Sequence, residues 1–524
     1  VHTPHQMKTS PHPIQRTLVF MGALGLIFTL LLSRPQLPDP LESMVPHWAS
    51  IHSAESEMSP EKAGAILEDY KMQPVAADSM KEVEDTASSN PPHRVVQIAS
   101  PAASQPITPT VGEVSYDREA IDQFLHSNLQ LHGNTAAFAD LGHFFALLDA
   151  PERTPAIHIF HFGDSQIEGD RMTGVLRDAW QDTWGGGGPG LLSPALSIPS
   201  LAMRQQWSNG WHRHALYGKK DSLIEHSRYG ILAAFARHNP DDSVDSTARI
   251  RLTPHPKGYR RNRQFNELHL LMGAVPKGAR LHYRLNDADE FSMELVSDSS
   301  CLHAVVALPE LDSIPFESLD LYFSGAVPEM NGIGMWSQSG IVVHNIAMRG
   351  SSGTVFRSVD RSQFQRQMNA FRTGMIILQY GGNAVPYLQD KAAADRYGNW
   401  FASQIRLFQS IKPDTPIIVI GPSDMARKVD TRMETYPQLP LVRDALRRVA
   451  IEHDALYWDV FEVMGGAGSM AAWVQSEPPL ASSDHIHFTP KGAREMAELF
   501  RKSIQAEWAL WQNDQAEQSL VHDR

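Results

Sequence analysis

Apolar and polar positions divide the chain into stretches of different period. Residues 17–33, TLVFMGALGLIFTLLLS, carry no charge and follow Lys8 and Arg16. As a helix they would rise about 26 Å at ~1.5 Å per residue, just short of a hydrocarbon core. The basic residues assign the tail 1–16 to the cytoplasm and the bulk of the chain to the outside. An uncleaved signal anchor and a cleaved signal peptide both fit. The anchor is favoured, because SRPQLP follows with no small-x-small cleavage site. Residues 34–115 shift to Pro, Ser, Ala and Glu, too poor in apolar surface to offset ordering entropy, and are expected to be linker.

From residue 116 the periodicity is that of folded elements. DREAIDQFLHSNLQLHGNTAAFADLGHFFALLDA holds two helical patterns, AIHIFHFG a strand, and GDRMTGVLRDAWQDTW an amphipathic helix. Residues 116–203 therefore open an α/β domain. Between 204 and 339 the pattern changes to short alternating or β-branched runs: ILAAFARH, ARIRLTP, ELHLLMG, ARLHYRL, FSMELVS, HAVVALP and SLDLYFSG. Bounded by Pro, Gly, Asn and Asp, they predict an inserted β-sandwich or jelly roll. Residues 340–512 return to strand–helix alternation, and 513–524 are a tail. Such alternation predicts a parallel sheet covered by helices on both faces, with chemistry in the loops at the strands' carboxyl ends.

Composition narrows the function. The net charge of −13 argues against a nucleic-acid partner, which demands a basic face. Cys301 is the single cysteine, so neither an internal disulfide nor a cysteine-based zinc site can form; a bacterial source fits an exported chain of this kind. The run Gly185–Gly188 lacks the following Lys-Ser/Thr of a phosphate loop, and no cofactor is expected.

Four short blocks carry candidate chemistry. In HFGDSQ, Ser165 stands just after a buried strand on a turn, a position suited to a nucleophile that needs a base and an orienting carboxylate. In SSDHIHFTPKG, Asp484 and His487 lie three apart before a helix, which sets a carboxylate beside an imidazole. A metal site through Asp484, His485 and His487 is the weaker alternative, since so short a segment requires further ligands. In YGGNAVP, Asn383 follows a strand and can donate to an oxyanion, and AMRGSSG offers glycine N–H groups near a substrate.

In this order the blocks GDSQ, RGSSG, GGN and D-x-x-H resemble the SGNH (GDSL) hydrolase superfamily, over roughly residues 116–200 and 340–512. The resemblance implies a flavodoxin-like three-layer αβα domain. It also implies Ser165 as nucleophile, His487 as base, Asp484 as its orienting acid, and Ser165, Gly350 and Asn383 as oxyanion donors, with Gly353 competing for the role of Gly350. A narrower likeness is to bacterial cell-wall members, the peptidoglycan O-acetylesterase type, through GDSQIEGD, WGGGGPGLL and the β-rich insertion. That likeness makes the insertion carbohydrate-binding-like, or else a structural shield. Its Trp207, Trp211 and Trp336 would stack on sugars or pack in the core. Gln166 beside the nucleophile and Asp424 in GPSDMARK would touch substrate, Asp424 alternatively capping its loop. The expected activity is removal of acetyl or similar groups from an acylated cell-wall glycan outside the cytoplasmic membrane. An O-acetyltransferase served by a multispanning acyl donor, and an idle glycan-binding protein, are the alternatives.

Overall fold

A computed structural model of the chain describes residues 129–522, less 151–152, 197, 219–220, 243–246 and 300, together with the short strand Val96–Gln97. The expected tail 1–16, the apolar run 17–33, most of the linker and the first helical pattern after 116 lie outside the described residues. Among the described residues no helix is long and apolar enough to cross a membrane. All of them belong to one structural unit, Ser89–Arg524.

Five parallel strands form the central sheet: β1 (Ile157–Gly163), β2 (Ile341–Ala347), β3 (Arg372–Gln379), β4 (Ile417–Ile420) and β5 (Leu456–Trp458), in the order β2-β1-β3-β4-β5. This is the flavodoxin-like order, whose crevice opens where the chain direction reverses beside β1. All seven residues of β1 are buried, as a central parallel strand demands. Ile157 and Ile159 face one helical layer, and Phe160 and Phe162 the other. Each such side chain contributes about 1.5–3 kcal/mol by leaving water.

The first layer holds α1 (Thr135–Asp149), α2 (Thr173–Trp184) and α6 (Pro490–His522). The second holds α3 (Arg361–Asn369), α4 (Lys391–Ile411) and α5 (Leu439–Glu452). Their buried residues recur at helical spacing, as in Ala493, Met496, Ala497, Phe500 and Ile504 of α6. Asn134 caps α1 and Asp390 caps α4 by accepting a backbone N–H three residues on. The helix α6 runs ten residues past the end expected at 512, through residues whose polar character had marked a tail.

Between β1 and β2 the chain builds the expected sandwich. One antiparallel sheet joins Arg204–Trp207, Ala248–Thr253, Leu319–Ser324, Arg280–Leu285 and Glu290–Glu294. The other joins Trp211–Ala215, Ala234–His238, Met330–Trp336, Glu267–Met272 and Leu302–Ala307. Their inner faces share a core that includes Ile250, Leu268, Leu270, Leu281 and Leu321. The module begins earlier than 204, because Gly190–Leu192 pairs with Met330–Trp336. Val96–Gln97, within the expected linker, pairs in parallel with Leu302–Ala307. Both pieces are too short for periodicity to mark.

The glycine run is a seam between module and hydrolase. A Cβ at Gly187 would collide with the Gln264 carbonyl and one at Gly188 with the Met335 carbonyl, and both Gly186 and Gly188 have positive φ.

Candidate active site

The turn that bears Ser165 is fixed by the sheet beneath it. Gly163 ends β1 where a Cβ would press on Ile167 at 2.8 Å. The Asp164 N–H donates to the Gln379 carbonyl of β3 (3.3 Å), and Asp164 Oδ1 accepts from the Gln166 N–H (2.9 Å), closing a local turn under Ser165. The carbonyl of Ser165 accepts from the Glu168 N–H (3.3 Å) and from Arg171 Nη2 (2.9 Å). Ser165 is thereby held almost fully buried at the carboxyl end of β1.

The loop before α6 meets it from the other side. Ser165 Oγ lies 2.8 Å from His487 Nε2, and His487 Nδ1 lies 2.7 Å from Asp484 Oδ2. Asp484 Oδ1 also accepts from the N–H groups of Ile486 (2.9 Å) and His487 (3.0 Å). Burial pushes the Asp484 carboxyl up, but the His487 side chain and these two N–H groups outweigh it and lower it to about 2. An ionised Asp484 fixes the ring proton on Nδ1 and leaves Nε2 to accept the Ser165 hydroxyl proton.

Two side chains tie loop to turn. Gln166 Nε2 donates to the Ile486 carbonyl (2.8 Å), and Arg171 Nη1 donates to the Phe488 carbonyl (3.0 Å) while its Nη2 holds Ser165. Gln166 therefore stands at the site as expected. Arg171 is new: in the sequence it is one more charge at the start of an amphipathic helix, with no local signal of its role.

Ser165, Gln166, Asn383, Tyr387, Met425 and His487 are among the residues lining one cavity of about 160 Å³. This is below the ~300 Å³ of a typical small-molecule pocket. Asn383 Nδ2 donates to Asp164 Oδ2 and to the Ser351 carbonyl, both at 3.1 Å. Asp164 is buried, and burial raises its carboxyl to about 6 against the opposing hydrogen bonds of Gln166 and Asn383 and the charge of His487.

Other expected contacts fall elsewhere. Gly350 occupies an exposed turn at positive φ and does not line the cavity. Gly353 is packed where a Cβ would strike Tyr380 and Phe401. Asp424 is fully buried and ties its loop to two later segments, Oδ1 accepting from the Thr435 hydroxyl (2.8 Å) and Oδ2 from the Met470 N–H (2.8 Å), so it does not face the cavity. Trp336 is a core residue stacked on His269 (centroids 3.8 Å) and edge-on to His158, in a group of buried rings beneath the sandwich. Trp211 is buried against Trp207 and Phe323, and Trp207 is partly buried with its Nε1 donating to Gln205. None of the three lines the cavity. Among the described residues no three His, Cys, Asp or Glu side chains are grouped to hold a metal ion.

Comparison with known proteins agrees with this architecture. Residues 333–495 match the GDSL-like lipase/acylhydrolase family. That span includes Asn383, Asp484 and His487 but not Ser165, which the fold restores to them across the insertion. No curated protein matches the sequence. Among solved structures, a peptidoglycan O-acetylesterase is similar at 21% identity and a TM-score of 0.55, over 72% of this chain and 97% of that one. An acetyl xylan esterase aligns at 15% identity and a TM-score of 0.24, over 31% of this chain and 81% of that one. A family two carbohydrate esterase from Cellvibrio japonicus aligns at 8% identity and a TM-score of 0.22, over 59% and 99%. Residues 333–495 thus match a GDSL-like lipase/acylhydrolase domain within an SGNH-type fold, a domain whose chemistry is that of a serine ester hydrolase or acyltransferase.

Proposed function

We propose that the protein is an extracytoplasmic esterase that removes acetyl or similarly short acyl groups from a cell-wall glycan such as O-acetylated peptidoglycan. The observation that carries this reading is the unbroken hydrogen-bonded series Ser165–His487–Asp484 opening into a cavity of about 160 Å³. His487 Nε2 takes the hydroxyl proton as Ser165 Oγ attacks the ester carbonyl, and the charge of Asp484 stabilises the imidazolium. The proton then passes to the departing sugar oxygen, leaving an acyl-serine. Water, deprotonated by the same nitrogen, releases the acid and restores the serine. The Ser165 N–H and the Asn383 amide are the oxyanion donors of this reading; Asn383 gives up a hydrogen bond to Asp164 or Ser351 to serve, and Gly350 joins them only on movement of its turn. The extracytoplasmic setting is supported by the apolar run 17–33, and the glycan by likeness of fold to a peptidoglycan O-acetylesterase.

The test is acetate release from O-acetylated peptidoglycan by the full chain and by Ser165→Ala. Release by the wild type that vanishes in the variant is expected. A folded wild type that consumes p-nitrophenyl acetate yet releases no acetate from O-acetylated peptidoglycan would remove this substrate and direct attention to transfer onto acceptor sugars.

A further inference from the structure

A second, larger cleft of about 320 Å³ lies on the other side of the nucleophile turn, between the hydrolase sheet and the inserted module. The hydrolase contributes Glu168, Asn345 and Arg349; the module contributes Arg213 and Tyr217. Glu168 follows Ser165 by three residues and is hydrogen-bonded to its carbonyl, so this cleft borders the reacting serine.

Its charges are unequally committed. Arg177, at the bottom, is fully buried and doubly hydrogen-bonded to Asp170 (2.7 and 2.9 Å). Arg349 is half-exposed and meets Glu168 only at 3.5 Å. Arg213 donates to the Ser193 hydroxyl (3.1 Å) and the Tyr217 hydroxyl (2.6 Å), both neutral, and among the described residues no carboxylate pairs with it. The two pairs cancel and one guanidinium is left over, partly screened from water, in a chain of net charge −13. Such a group binds anions far better than an exposed lysine, because its planar fork matches a carboxylate and water competes less. In a protein that is acidic overall, such a cation at the substrate edge favours an anionic ligand.

We infer that this cleft takes a carboxylate borne by the acylated glycan, with Arg213 as its principal partner and Arg349 as the second. The module then selects substrate through charge, not through the tryptophans of its core. The identity of the ligand as an acylated glycan rests on the reading above; the carboxylate preference does not depend on turnover. The carboxylate could belong to a uronic acid in the chain or to a peptide attached to the sugar.

The experiment is calorimetric titration of the full chain carrying Ser165→Ala, which holds substrate without consuming it. Two ligand pairs are used: O-acetylated uronate oligosaccharides and their carboxyl-reduced counterparts, and O-acetylated muropeptides and their carboxyl-amidated counterparts. The expected result is binding about tenfold or more tighter for the acid member of at least one pair, the pair identifying the source of the carboxylate. Adding Arg213→Gln should abolish that preference, and Arg213→Lys should keep part of it. Equal affinities within both pairs, or no binding of any ligand, would overturn the inference, and that ligand-side comparison needs no substitution in the cleft. Turnover of p-nitrophenyl acetate by the wild type tests the serine chemistry separately, so failure of one reading is distinguishable from failure of the other.

Discussion

Asp164 adjoins Ser165 in the chain and Asp484 reaches it through His487, and their surroundings push them in opposite directions. Asp164 sits on the exit of β1, where burial outweighs the hydrogen bonds of Gln166 and Asn383 and the charge of His487, and is raised to about 6. Asp484 sits on a half-exposed loop, hydrogen-bonded to an imidazole and two N–H groups, and is lowered to about 2. The difference teaches what each region supplies. The sheet exit fixes position at an electrostatic cost, whereas the loop supplies charge and depends on Gln166 and Arg171 for its position.

Breaking the charge side should have the largest effect. Ser165→Ala and His487→Ala should each lower kcat on p-nitrophenyl acetate by about 10⁴–10⁶-fold with unchanged thermal unfolding. Asp484→Asn should cost up to about 10⁴-fold, and less than His487→Ala, because the imidazole keeps its place while losing the charge that holds its tautomer. The tether between the two regions comes next. Arg171→Met should lower kcat about tenfold or more with KM little changed, and Arg171→Lys should recover part of it, an outcome that mere destabilisation would not give.

The smallest effect is on stability, and it sharpens the contrast by its sign. A carboxyl raised in the folded state contributes stability below its unfolded value that is lost as pH rises through about 6. Asp164→Asn should therefore remove a decline of on the order of 2–3 kcal/mol between about pH 4 and 7, read as the wild-type-minus-variant difference in urea unfolding. The contribution of Asp484 has the reverse sign: it is present above about pH 4 and lost as pH falls through about 2. Removing it by Asp484→Asn should lessen the wild type's loss of stability on acidification through that window.

Much of this arrangement was legible in the sequence. Strand–helix alternation revealed the sheet and its helices, since β1 and β3 are apolar runs too long for turns and α4 and α6 show unbroken helical spacing. The blocks around Ser165, Asn383 and Asp484–His487 were readable because each sits at an element boundary, where residue type reports chemistry more than packing. Arg171 and the cleft at Arg213 were not, because their partners are backbone carbonyls and side chains brought near only by the fold. The tryptophans left two readings open for the same reason: an indole reads alike whether it covers a sugar or, like Trp336, a buried histidine. Asp424 lies at the right sheet edge, yet it turns inward to accept from the Thr435 hydroxyl and the Met470 N–H.

The insertion between β1 and β2 sets a constraint on how the molecule assembles. Ile157–Gly163 has both of its neighbours, β2 and β3, on the far side of the sandwich, so it waits unpaired while some 177 residues are made. During synthesis that strand is a sticky apolar ribbon with two open edges, and any stall before residue 341 leaves it so. Prompt closure of the sandwich would shorten that wait by bringing the distant ends together, a chaperone-like service rendered by the module to the domain that it interrupts.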